Sequence, residues 1–393
     1  MPGYTRAMRP REATGRKRAK RQGRAKPERD PRGHPRPKRE KRLQERERTS
    51  DVPGATRRAR DEVNARNALY QEVADQVPYL GIATQSGSFV VATSDQHIGR
   101  SLFVKGARPE FTVLRRAVVA IEALTGRNAI ADRLFVDVGA NIGTSTIPAL
   151  VSHGFGAAIC CEPDEENFRL LRANVALNGL EDRVTCLPVG ASDRVGGASL
   201  VTYERSGGNS WVVDDPDKIQ DWEARRAARR ASKNRDPEPR SMTVVEVEIV
   251  TLDRLAENGV IDPDRVGLVW IDVEGHEGHV IAGAGTLADR GLPMVVEFHP
   301  EGLDHHGDRD KIHEVAERCY THFLDVRRRD RDRTQPDFTL RPIDDLAAYA
   351  DGLLDPATPG YFTDLLLLRL EGDQAKAPPN LSELMQPGAD RSE

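Results

Sequence analysis

The nine residues Phe135-Val136-Asp137-Val138-Gly139-Ala140-Asn141-Ile142-Gly143 constrain this chain more than any other stretch. An apolar run that stops at Val138 reads as a buried strand. The glycines after it allow a tight turn and a close approach of backbone to ligand before a helical pattern takes over from Gly143 to Val151. Strand, glycine turn and helix in that order place a nucleoside against the carboxyl end of the strand. A dinucleotide fingerprint would read G-x-G-x-x-G with a pyrophosphate on the helix N-terminus. Here the pattern is D-x-G-x-N-x-G, with Asn141 at the second glycine position and Asp137 ahead of the first. An added carboxylate repels phosphate, so the loop suits a zwitterionic amino-acid tail and a sulfonium better than two phosphates.

A second acid falls about 20 residues on, where a ribose-binding carboxylate belongs. Glu162 closes the apolar run Ala157 to Glu162, Pro163 breaks the strand, and Asp164 is set to cap a helix over Glu165 to Asn178. Taken alone, Glu162 is equally an exposed strand-end acid; the glycine loop at this spacing favours the ribose role. Further apolar runs cover Val184 to Val189, Val266 to Asp272 and Met294 to His299, and a helix is expected after Glu274. Alternating strands and helices predict an α/β fold with a parallel sheet covered on both faces. By the same topology Asp193, in Val189-Gly190-Ala191-Ser192-Asp193, is a candidate for the adenine amino group.

The flanks read differently. Residues 1–60 are Arg, Lys, Pro and Gly with hardly a large apolar side chain, so a disordered basic tail is expected there. Without interleaved aromatics it reads either as a solvated tail or as an electrostatic arm for nucleic acid or another polyanion. Residues 61–130 carry two helical patterns, at 61–77 and Glu110 to Leu124, around a strand at Phe89-Val90-Val91, and form a lead-in packed on the core. The main domain is expected over 131–371, with a charged insertion at about 214–240, a strand over Thr243 to Val250 and a helix starting at Leu252. A disordered tail follows over 372–393. Ser206 to Trp211 is either a lid or an ordinary connection. No run approaches the roughly 20 apolar residues of a membrane span, and no apolar core of a secretory signal precedes the domain. Cys160, Cys161, Cys186 and Cys319 follow no metal-ligand spacing, and the adjacent pair points to opposite faces of a strand. A reduced, cytoplasmic setting fits this usage.

Over most of Phe89 to Leu368 the residues resemble the FkbM-type methyltransferases. The matching blocks are Phe135 to Gly143, Cys161-Glu-Pro-Asp-Glu-Glu-Asn-Phe168 with Asn174 and Asn178, Val250-Thr-Leu-Asp-Arg-Leu255, Ile271-Asp-Val-Glu-Gly-His-Glu277 and Val296-Glu-Phe-His299. The resemblance implies a Rossmann-like class I methyltransferase fold, with a seven-stranded, mostly parallel sheet, the last strand antiparallel and helices on both faces. It also implies S-adenosyl-L-methionine as cofactor and O-methylation of a sugar, glycan or natural-product hydroxyl. Cofactor-binding residues are then expected at Asp137, Gly139, Asn141, Gly143, Glu162 and Asp193. Trp270 stands where the family often has lysine, a change expected to reshape the pocket floor.

Methyl transfer to a hydroxyl needs in-line alignment and a base for the proton. Candidates sit at the carboxyl ends of two neighbouring strands: Asp272, Glu274 and His276 after one, Glu297 and His299 at the next. The catalytic set expected is Asp272, Glu274, His276 and His299. The histidines have the unperturbed pKa suited to base work, and are equally read as structural. Asp272 and Glu274 are equally read as partners of a helix dipole. No metal is expected: Asp304-His305-His306 offers ligands, but no H-E-x-x-H spacing occurs, and His276 with His279 is a weak pair. The rival reading is a nucleic-acid-binding protein, possessing an RNA-modifying or merely presenting α/β domain behind the basic arm. A nicotinamide-dependent oxidoreductase would require the missing glycine pattern.

Overall fold

In the computed structural model, the described residues are 53–74, 76–126, 129–203, 208, 210–213, 219, 224, 242–327, 338–354, 362–372 and 381. The basic arm before residue 53, the inserted segment apart from Ile219 and Ala224, and the tail beyond 372 apart from Leu381 lie outside them. The chain divides into two units, 1–60 and 61–393. The described residues of the first belong to the opening turns of helix α1, Pro53–Ala74.

In the second unit the rest of α1 is followed by a hairpin, β1 (Tyr79–Thr84) and β2 (Gly87–Ala92), then α2 (Ile98–Lys105) and α3 (Pro109–Thr125). The sheet starts with β3 (Leu134–Val138), α4 (Thr146–Ser152), β4 (Ala157–Cys161), α5 (Glu165–Leu177) and β5 (Val184–Leu187). There follow β6 (Gly190–Ala191), β7 (Gly196–Tyr203), β8 (Trp211–Val213), β9 (Met242–Val250) and α6 (Leu252–Glu257). The second half contains β10 (Val266–Ile271), α7 (Glu277–Ala282), α8 (Gly285–Asp289), β11 (Met294–Phe298), α9 (Pro300–His306) and α10 (Asp308–Cys319). It ends with β12 (His322–Asp325), β13 (Arg341–Pro342), α11 (Leu346–Leu353) and β14 (Thr363–Leu368).

The main sheet has the order β13-β12-β14-β11-β10-β3-β4-β5. β5, β4, β3, β10 and β11 run parallel, and β14 is antiparallel to both β11 and β12. This is the expected Rossmann-like α/β fold with its reversed last strand. The strand number needs correction: two-residue β13 pairs with β12 and brings the sheet to eight strands rather than seven. A second sheet, β6-β9-β7-β8, was not legible, because Gly196-Gly197-Ala198 opens β7 without an apolar signal.

Alternation along each strand divides the core into two layers. Phe135 of β3, Leu268 and Trp270 of β10, and Leu366 and Leu368 of β14 face the layer that holds α3, α4 and α5. Val136 and Val138, Val269 and Ile271, and Leu365 and Leu367 face the layer that holds α6, α7, α8 and α10. Cys160 and Cys161 fall in opposite layers, and all four cysteines are free thiols. Among the described residues no helix is long and apolar enough to cross a membrane.

The lead-in hairpin is fastened to α5 by two asparagines. Asn174 is fully buried. Its amide accepts from the Val90 N–H at 2.6 Å and donates to the carbonyls of Val90 at 3.1 Å and Ile142 at 2.9 Å. Asn178 makes the same two-way exchange with Ser88, at 2.9 and 2.8 Å. Both side chains act as a surrogate strand for β2, which would otherwise leave backbone groups unpaired in the core. Asn174→Ala strands three such groups and is expected to cost about 2–4 kcal/mol, read as a lower urea midpoint with an unchanged slope.

Candidate active site

The sheet's connections diverge between β3 and β10, so the crevice at the carboxyl ends of these two strands is where an open α/β sheet takes a ligand. A cavity of about 510 Å³ opens there. On one side it is lined by Gly139, Asn141, Glu162 and Ala191, and on the other by Asp272, Glu274, Glu297 and His299.

The glycine turn is forced by backbone contact. Gly139 has φ 81°, and a Cβ there would stand 2.0 Å from the Asp272 carbonyl oxygen. Its N–H and that of Ala140 both donate to the Cys161 carbonyl at 3.0 Å, tying the turn to the end of β4. Asn141 takes φ 52°, which asparagine tolerates, and its N–H donates to Glu162 Oε2 at 2.7 Å. Glu162 Oε1 accepts from the Asp164 N–H at 2.9 Å. Burial outweighs these two bonds and a third from the Asn167 side chain, and pushes the Glu162 carboxyl up to about 8. Gly143 has φ 93°, and a Cβ there would stand 3.1 Å from the side chains of Ile147 and Leu171. Asp137 lies behind the turn, fully buried: Oδ2 accepts from Thr146 Oγ1, while Oδ1 has no hydrogen-bond partner. Burial above all, with Asp272 adding to it, raises Asp137 to about 7.

The opposite wall is a cluster of carboxylates. Asp272, Glu274 and Glu297 each bring an oxygen within 4.8 Å of the others. Burial and then the Glu110 charge lift Asp272 to about 6, against the pull of Arg327 and Arg108. Burial, then Asp272, raises both Glu274 and Glu297 well above the usual range. Glu274 sits at φ 56°, a conformation that costs a non-glycine residue on the order of 1 kcal/mol. Glu277 holds this loop: its carboxylate accepts from the N–H groups of Val273 and Gly275 at about 3.0–3.1 Å. It is itself raised to about 8 by burial.

Three sequence expectations change. His276 is buried outside the cavity lining, with Nε2 2.9 Å from Ser192 Oγ and its ring stacked on His279 at 4.2 Å. Helix α7 starts after His276 and turns it to the back of the loop, away from Asp272. Asp193 also lies outside the lining and pairs with Lys311 Nζ at 2.5 Å. Burial alone would raise its carboxyl, but Lys311 and the two histidines hold it below its usual range. Trp270 is in the core layer rather than the cavity, because strand alternation sends its side chain, with that of Leu268, in among the helices. His299 does reach the lining, but its Nδ1 accepts from the Gly302 N–H at 2.8 Å. A neutral ring in that tautomer carries its proton on Nε2 and offers a donor rather than a base.

Several lining residues gave no usable signal. Arg108 and Glu110 open α3, where an acid reads as a dipole partner, and they pair at 2.9 Å. Arg327 belongs to the run Arg327-Arg328-Arg329, which reads as a solvated face, yet it is buried, bonded to Asp364 and 3.9 Å from Glu110. Gly208, Ser210 and Trp211 line the cavity, whereas Ser206, Gly207 and Asn209 fall outside the described residues. Asp304 belongs to α9 and pairs with Arg309, not with the cavity.

The family profile described as Methyltransferase FkbM domain matches residues 137–328. Methyltransferase sdnD of Sordaria araneosa is 28% identical over 163 residues, which are 40% of this chain and 62% of that protein. The chain thus spans about three fifths of the length of that curated relative. Among solved structures, P. horikoshii TYW2 in complex with MeSAdo aligns at 12% identity and a TM-score of 0.34, covering 74% of this chain and 72% of that one. A methyltransferase FkbM from Methylobacillus flagellatus KT aligns at 14% identity and a TM-score of 0.30, covering 76% and 58%.

Two outcomes follow from this geometry. Gly139→Ala places a methyl group on a backbone carbonyl at positive φ and is expected to cost at least ~2 kcal/mol in thermal or urea unfolding. Asp137, Glu162, Asp272 and Glu277 all have carboxyls raised in the folded state. Their contribution is therefore fully present below the unfolded carboxyl range and is lost as pH rises through the folded values. Urea stability of the ligand-free protein is expected to fall from about pH 5 to about pH 8; a flat profile would show these groups to be hydrated.

Proposed function

We propose, on the premise that residues 137–328 belong to the methyltransferase FkbM domain family, that this chain is an S-adenosyl-L-methionine-dependent methyltransferase acting on a hydroxyl of a small molecule, such as a sugar, glycan or natural-product scaffold. The observation that carries the reading is one cavity with two differently built walls: a glycine turn bonded to an acid at the end of β4, facing three crowded carboxylates at the ends of β10 and β11.

The residues fit the cofactor. Gly139 leaves a cradle that a side chain would fill, and the buried Asp137 Oδ1 lacks a hydrogen-bond partner just behind it. Glu162 is fixed by two backbone N–H bonds and by the Asn167 side chain, which leaves acceptor capacity on the carboxylate for a ribose hydroxyl. The raised carboxyls favour a cationic ligand, because a positive charge brought among them draws off their protons. When bound, S-adenosyl-L-methionine supplies an electrophilic methyl group on a sulfonium.

Asp272, Glu274 and Glu297 form the candidate proton acceptor. An alcohol is a weak nucleophile while neutral, and a carboxylate lifted toward neutral pH by burial and like charge takes its proton with a better-matched driving force. His299, with a proton on Nε2, orients an oxygen as a donor. Arg108 and Arg327 are engaged by Glu110 and Asp364, which keeps their charge inside the wall. Among the described lining residues, Glu110, Glu162, Asp272, Glu274 and Glu297 outnumber these two guanidiniums. That balance favours a neutral or cationic acceptor over a phosphate-bearing one and weighs against a nucleic acid.

The test separates the two walls. Glu162→Ala is expected to weaken S-adenosyl-L-methionine binding about 10- to 100-fold by calorimetry. Asp272→Asn is expected to cut turnover about 10²- to 10⁴-fold while cofactor affinity stays within a few-fold. Turnover would be followed by mass analysis of what gains a methyl group in an extract of the source cells. Absence of cofactor binding by the unmodified chain would overturn the proposal.

A further inference from the structure

The geometry points to a second site: we propose that His276, His279 and Asp308 bind one Zn²⁺ behind the loop that carries Asp272 and Glu274. A ring nitrogen of each histidine and a carboxylate oxygen of Asp308 all lie within 4.8 Å of one another. Two imidazoles and one carboxylate make the nitrogen and oxygen set that zinc takes, with the fourth tetrahedral position left for water.

Three further features of the same spot support a ligand site rather than a plain ion pair. Asp308 is fully buried, and its Oδ1 already accepts from both the backbone N–H and Nδ1 of His279, each at 2.7 Å. Its Oδ2 is buried with no hydrogen-bond partner, a cost that a surface ion pair would avoid by turning to water. Gly278 stands between the histidines, and a Cβ there would meet Asp308 Oδ1 at 2.6 Å and the Asp308 carbonyl at 2.2 Å. Only a glycine lets the start of α10 close on α7 far enough to deliver the carboxylate.

The surroundings are compatible with a cation. Ser192 Oγ is 2.9 Å from His276 Nε2, a neighbour able to steady the ring. The positive charge nearby, Lys311, is paired with Asp193 at 2.5 Å. The two rings are stacked 4.2 Å apart and within 3° of parallel; because each ring nitrogen's lone pair lies in its ring plane, sharing one ion requires one imidazole to turn out of the stack. An ion there would tie the first residue before α7 to the first residue of α10, 29 and more positions along the chain, and so brace the strained loop at Glu274 from behind.

The experiment uses the full chain, stripped with a chelator and dialysed. Zn²⁺ is added in a calorimeter, and Co²⁺ is followed by its visible ligand-field absorption. One Zn²⁺ per chain and tetrahedral Co²⁺ bands are expected. His279→Gln and Asp308→Asn are each expected to weaken binding about 100-fold, whereas Asp272→Asn, in the carboxylate cluster, leaves it within about three-fold. Should His279→Gln fail to fold by circular dichroism, His276→Gln takes its place. No saturable uptake by the unmodified chain would overturn the site. So would binding that survives both histidine substitutions, or that is lost in Asp272→Asn. Because metal uptake is read directly, failure here leaves the methyltransferase reading intact, and failure to bind S-adenosyl-L-methionine leaves the metal site intact.

Discussion

The site depends on one backbone approach. The turn after β3 and the end of β10 meet at Gly139 and the Asp272 carbonyl, with no room for a side chain between them. Parallel pairing of the two strands sets that distance, and the divergence of the sheet's connections at the same point opens the crevice above it. Every functional group is placed relative to that junction. Asn141 and Glu162 are positioned from the β3–β4 side, and Asp272 and Glu274 from the β10 side. A shift of either strand would move the two walls of the cavity independently.

The second organising constraint is electrostatic. Asp137, Glu162 and Glu277 are buried, and half-buried Asp272 and Glu297 with the more exposed Glu274 crowd beside them, so desolvation and like charge together disfavour ionisation of the group. Buried carboxyls of this kind cost stability unless paired or protonated. Arg108 and Arg327 offset part of the charge, and backbone N–H groups meet Glu162 and Glu277. What remains favours a cation in the cavity, and among the three clustered carboxyls Asp272, raised to about 6, is the one that stays ionised most readily near neutral pH. The same burial that burdens the empty fold would be relieved by the proposed sulfonium ligand.

Much of this was legible in the chain. The five central strands and the helices beside them follow from apolar runs and their spacing, within a residue or two for β3, β4 and β11. Other readings failed for identifiable reasons. His276 stands one residue from Gly275 in a motif full of site residues, but the onset of α7 rotates it behind the loop. Asp193 follows the β6 segment as expected, yet Lys311 from α10 captures it. Arg327 drew no reading from the sequence, and only the pairing of β12 with β14 carries it to Asp364.

The sequence by itself determined the five central strands with the helices beside them, the glycine turn and the acid at the end of the next strand. Those features rest on local backbone preferences and on the period of burial, which neighbouring residues express directly. Tertiary structure alone decided which side chains share a cavity. Glu110 and Glu297 reach Asp272 from elements far apart in the chain, and Asp308 comes to His279 across 29 positions. Such distances are set by how helices close onto the sheet, and the closeness of one side chain to another there depends on packing that no local pattern encodes.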